Sequence, residues 1–161
     1  MSAPAPAGRR YARRLALVAV AGAGAATLAA CQKPLPQVTF QSGSRSVLVS
    51  PVAYCYDDQN PTDGSCPARK ASVVTLRTSP GDDIGISVPR SVAVQAWIAS
   101  AYTLTADGKS EPVDGGTGVI QDNHYARVPV PNASGVYLLS VTQLRGQEQI
   151  GTWTVQVEIE N

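Results

Sequence analysis

The residues able to do chemistry in this 161-residue chain are few, and they are poorly spaced for catalysis. The one histidine, His124, follows Asp122-Asn123 at the head of an expected strand. A catalytic nucleophile needs a base and an orienting group within reach, and no Gly-x-Ser-x-Gly elbow is present to supply one. His124 therefore reads as a surface residue at a strand end. Carboxylates pair as Asp57-Asp58 and Asp82-Asp83. Neighbours on a strand point to opposite faces, so neither pair forms an acid/base couple by itself, and Asp82-Asp83 reads as turn chemistry after Pro80-Gly81. The run from Asp57 to Gly64 offers oxygen ligands in Asp57, Asp58 and Asp63, without the alternating pattern of a calcium loop. Copper sites use thiol, thioether and imidazole ligands, and beyond residue 30 the chain has no Met and one His. Gly115-Gly116-Thr117-Gly118 lacks the lysine of a phosphate-binding loop. The expectation is a protein that is not an enzyme and that uses no cofactor or metal.

The cysteines are more informative. Ten residues separate Cys55 from Cys66, too many for the closely spaced ligand pair of a zinc site. In an exported protein the two are expected to form a disulfide, and closing so short a loop stabilises by about 3 kcal/mol. Cys31 is left over, at the end of Leu28-Ala29-Ala30-Cys31. That run resembles a bacterial lipobox, where a signal peptide is cut before a cysteine that carries diacylglycerol. Arg9, Arg10, Arg13 and Arg14 precede an uncharged stretch, Leu15 to Ala30. The stretch is shorter than the roughly 20 residues of a spanning helix, as expected of a secretory signal. The arginine pairs also raise a twin-arginine export route, but no large apolar side chain stands where that signal expects one after Arg10 or Arg14, so the general route is expected.

These features divide the chain into a signal peptide (1–30), a lipidated cysteine with a Pro-rich tether (31–37) and one domain (38–161). Pro34 and Pro36 favour an extended, stiff tether, and two acyl chains anchor a protein stably where one does not. Without the four signal arginines, 13 − 4 = 9 basic residues face 12 acidic ones, a net charge of −3. That balance argues against a nucleic-acid partner and against a polybasic grip on anionic lipid.

The domain itself reads as β-structure. Val38-Thr39-Phe40 and Ser46 to Val49 flank Ser42-Gly43-Ser44, and Val73 to Leu76 is another short β-branched run. Ile84, Ile86 and Val88 alternate with polar or small residues, a period-two pattern. Val92 to Thr105 is expected to be strand and carries Trp97, with a two-residue hairpin turn at Asp107-Gly108. Asp114-Gly115-Gly116 opens a polar stretch expected to be mobile. Tyr125 to Val130 alternates, with Pro129 suited to an edge or strand end. Val136 to Leu144 and Thr152 to Ile159 form a long hairpin around Arg145-Gly146. Many short strands broken by turn signals mean a sandwich or barrel. Residues 54–69 stand apart as a disulfide-stapled surface loop, the expected interaction or ion loop, with Tyr54, Tyr56, Asp57, Asp58 and Asp63. Tyr102 and Tyr125 are further candidates for a surface role.

Ser134-Gly135-Val136-Tyr137-Leu138-Leu139 resembles the sixth strand of immunoglobulin-like domains, where a Tyr precedes a buried inter-sheet position by two residues and its hydroxyl caps the corner. Leu139 stands where antibody domains place a Cys. Gly81 to Val88 resembles the second strand, and Trp97 falls near the third-strand Trp. The resemblance implies an all-β, immunoglobulin-like sandwich of about seven to nine antiparallel strands, with Trp97, Tyr137 and Trp153 as structural core. The lipobox, the Lys33-Pro34-Leu35-Pro36 tether, the cysteine pair and the final Gly151-Thr152-Trp153-Thr154-Val155 hairpin are together similar to small actinobacterial lipoproteins of an uncharacterised family.

The function expected from all this is a non-enzymatic binding or interaction module. It would be anchored by diacylglycerol to the extracytoplasmic face of the cell membrane and meet an envelope protein or polymer. The alternative is a carrier of a small ligand or metal ion at the cell envelope.

Overall fold

Each alternating run has one apolar side to hide, and two sheets packed face to face hide it. The computed structural model describes residues 33–56, 66–105, 107, 109–132 and 134–160. The chain forms two compact units, Met1–Pro34 and Leu35–Asn161. In the first unit only residues 33 and 34 are described, so the expected signal peptide and Cys31 lie outside the described residues.

Among its described residues the second unit is all-β apart from one helical turn. Its first sheet contains β1 (Val38–Ser42), β2 (Arg45–Val49), β5 (Asp83–Ser87) and β8 (Tyr125–Pro129), in the order β2-β1-β5-β8. Its second runs β3-β10-β9-β6-β7, from β3 (Ala53–Tyr54), β6 (Ala96–Leu104), β7 (Ser110–Val113), β9 (Gly135–Arg145) and β10 (Glu148–Ile159). The remaining strand, β4 (Val74–Thr78), pairs in parallel with Val155–Ile159 of β10. The two inner faces meet in one core. Phe40, Ile84, Ile86 and Val128 come from the first sheet; Leu76, Trp97, Ala99, Leu139, Val141, Trp153 and Val155 come from the second.

This is an immunoglobulin-like arrangement. β5, β6, β8, β9 and β10 take the second, third, fifth, sixth and seventh places, with β7 as an added edge strand. The first place is divided: β1 lies against β5 in one sheet and β4 against β10 in the other. Ten strands are present among the described residues, more than the seven to nine expected, and one pairing is parallel. A parallel pair needs a long connection, and β4 and β10 are far enough apart in sequence to have one.

Two local expectations change. Val92 is not strand: it lies in α1 (Arg90–Ala93), which follows Pro89 and buries Val92 and Ala93 against the core. Gln143 of β9 holds that turn, its side-chain amide donating to the Ser91 carbonyl at 3.0 Å. The hairpin after β6 is closed by Thr105 N–H donating to the Lys109 carbonyl; Gly108 of the expected two-residue turn lies outside the described residues. The stretch from Asp114 is tied down. Thr117 N–H donates to the Ala99 carbonyl, the Thr117 hydroxyl accepts from Ala99 N–H, and Ile120 exchanges both backbone bonds with Trp97.

Gly116 permits that attachment, since a Cβ there would stand 2.7 Å from the Ala99 carbonyl oxygen. Gly116→Ala should therefore lower stability by about 1–3 kcal/mol, the range for forced overpacking, read as a fall in melting temperature. An unchanged melting temperature would show that this loop does not depend on the close approach.

Candidate functional site

At one end of the sandwich β1 begins, β5 ends, β6 begins, β9 ends and β10 begins. The stapled segment attaches at this end, and a bulge in β10 explains how. The β9–β10 register shifts between Gln149 and Gly151, leaving Ile150 without a β9 partner. A bulge re-aims the backbone of the residue it leaves over. The Ile150 carbonyl accepts from Cys55 N–H at 2.8 Å, and β3 pairs with Gly151–Thr152 just beyond.

Cys55 and Cys66 are joined by a disulfide, as the sequence suggests. The Cys66 sulfur lies 3.3 Å from the Gln149 carbonyl oxygen. Ala53 and Ala68 form a bridge, and Arg69 N–H donates to the Val52 carbonyl. Both feet of the stapled loop are therefore fixed to the sandwich. Asp57, Asp58 and Asp63, the acidic part of the expected ion loop, lie outside the described residues.

The tyrosines of this segment divide between core and surface. Tyr54, expected in an interaction loop, is 5% exposed and belongs to the core. It faces Tyr56 at 5.4 Å and Trp153 at 6.0 Å between ring centroids, both edge-on. Aromatic rings favour such contacts because a positive edge meets a negative face. Pairing of β3 with β10 puts Tyr54 on the inner side, and two strand residues are too short a pattern to show this in the sequence. Tyr56 is half-buried under the Arg69 guanidinium, 5.8 Å above its ring centroid.

Trp153 is fully buried, and its indole N–H donates to the Pro36 carbonyl at 2.9 Å. Leu35 packs against the core beside it. The expected tether 31–37 is thus not free throughout, because its last residues are part of the sandwich. Sequence reasoning missed this contact. An aromatic–proline pair separated by 117 residues carries no local signal.

The other candidate residues are more scattered. Trp97 is fully buried and its indole N–H donates to the Asn123 carbonyl. Tyr137 is half-buried against the core, and Leu139 is buried as the resemblance implies. Tyr102 is half-buried on β6. Tyr125 lies across Gly85 on the outer face of the first sheet, where a Cβ at Gly85 would meet its hydroxyl at 2.6 Å. That hydroxyl accepts from the Arg127 guanidinium at 3.2 Å, which with the nearby Asp83 raises the Arg127 pKa above its ordinary value. His124 is exposed just before β8, its carbonyl accepting from Val88 N–H. It lines a surface hollow of about 300 Å³ with Arg90, Val94 and Asp122. The described residues contain no group of three or more His, Cys, Asp or Glu able to hold a metal.

Fold and site together define an immunoglobulin-like β-sandwich with a disulfide-stapled insertion inside its divided first strand. The family model described as "Protein of unknown function (DUF2771)" matches residues 31–134, and the chain belongs to that family. No curated protein and no solved structure matches it.

Trp153→Phe keeps most of the ring and removes the donor. It should cost about 1–3 kcal/mol, the range for leaving a sheltered carbonyl unpaired. Amide exchange at Leu35 and Gln37 should quicken selectively. Uniform exchange across the domain would show that the indole does not hold this segment.

Proposed function

We propose that this protein is a lipid-anchored extracytoplasmic lipoprotein of actinobacterial type, serving as a non-enzymatic binding or interaction module for an envelope protein or polymer. The observation that carries the reading is the Cys55–Cys66 disulfide. The sequence has three cysteines, so this pairing leaves Cys31 as the one outside it, at the end of an apolar run with a basic head. A disulfide also fits an oxidising compartment. The family match begins at residue 31, the residue that cleavage would make N-terminal.

The module reading draws on the scaffold. Rigid strands present loops at both ends, and loops on such a scaffold are the usual place for recognition. His124 is exposed just before a strand, a placement that fits a surface role.

Two forms of the full chain test the proposal in cells. The native protein should fractionate with membrane and capture a partner on crosslinking. A Cys31→Ala form should appear folded in the medium and lose or weaken that capture. A Cys31→Ala form that stays on the membrane would overturn the anchoring. A native form that is abundant, folded and without a crosslinked partner would overturn the interaction module.

A further inference from the structure

The end of the sandwich that carries the stapled segment also releases the chain toward Cys31. Trp153 holds Pro36 and the core holds Leu35, so the tether between Cys31 and the sandwich ends at Leu35. From Cys31 to Leu35 the chain reaches at most about 14 Å, four steps at up to ~3.6 Å each. The twelve residues of β10 run for about 40 Å at ~3.3 Å per residue. The tether is much shorter than the body it carries.

We infer that the sandwich stands on this end, with the α1 turn, residues 121–124 and the β9–β10 turn against a lipid headgroup surface and the opposite loops held away from it. The inference rests on the proposed lipidation of Cys31 and adds an orientation to it. β1 begins at this end and pairs with β5 through Thr39 and Ser87. α1 follows directly from the end of β5, and Tyr125, the first residue of β8, pairs with Ser87. All three features therefore lie where the tether leaves. Val94, at the end of α1, is 61% exposed, an apolar side chain suited to the headgroup boundary. At the other end lie the Gly43-Ser44 turn, the Pro80-Gly81 turn and the start of β9, which remain open to a partner. Net charge does not set the orientation, because the chain beyond residue 30 carries −3. The constraint is the length of the tether.

The cysteine pairing makes the test direct. With Cys31 acylated and Cys55 joined to Cys66, one added cysteine is the only thiol open to a fluorescent label. Val94→Cys and Ser44→Cys place it at the two ends; both native residues are exposed. The labelled, full-length lipoproteins are reconstituted in vesicles of equal phosphatidylcholine and phosphatidylglycerol that contain a headgroup-attached nitroxide quencher. The label at 94 should be quenched several times more strongly than the label at 44. Inserting a flexible Gly/Ser segment between Pro34 and Leu35 should abolish the difference. Equal quenching at both sites, or stronger quenching at 44, overturns the orientation. A difference that survives tether lengthening overturns the tether as its cause. Intact mass separates the two levels: a mature protein without a diacylglyceryl adduct overturns the lipoprotein reading and the orientation with it, while a lipidated protein with equal quenching overturns the orientation alone.

Discussion

Much of this domain depends on one buried side chain. The Trp153 indole fills the space between the sheets and meets Tyr54 edge-on, and it fixes Pro36 with its only polar atom. A Trp can be buried deeply when its N–H finds an acceptor, and here the acceptor belongs to the segment that leads into β1. A single ring therefore ties the start of the domain to the last strand and to the stapled insertion. Gly151 leaves room for it, since a Cβ there would press on the indole at 2.6 Å.

The divided first strand follows from the same corner. After β1 and β2 cover the side of β5, the chain crosses to the second sheet as β3. It makes its stapled excursion and returns along β10 as β4. β3 and β4 share the outer edge of β10 at different heights, so that edge is paired along most of its length. An edge left unpaired is a template for unwanted pairing, and β3 and β4 cover this one. The disulfide holds together the two ends of the excursion, next to the bulge that offers Ile150's carbonyl to Cys55.

Parts of the candidate site were legible because their signals are local. Cys55 and Cys66 could be paired by counting, and the Asp82 turn by its Pro-Gly lead; its carboxylate does accept from Ser79 N–H. The strands with strict alternation, β5 and β8, were legible for the same reason, and Pro129 ends an edge strand as its missing N–H requires. Other features were hidden. Tyr54 looked like a surface residue because its surroundings are polar, yet pairing across to β10 turns it inward. Val92 looked like the start of a strand because it is β-branched, yet Pro89 and the Gln143 amide favour a helical turn there.

The sequence by itself determined the class of fold, the turn positions and the cysteine pairing, since hydrophobic period, Gly and Pro chemistry and loop length act over a few residues. Only the tertiary structure decided which strand flanks which, that β4 runs parallel to β10, and that the segment after Asp114 is bonded to β6 rather than loose. It alone decided that Pro36 is held by Trp153. These contacts join residues far apart in the chain, and their energy exists only once both sheets have packed, so no local pattern can encode them.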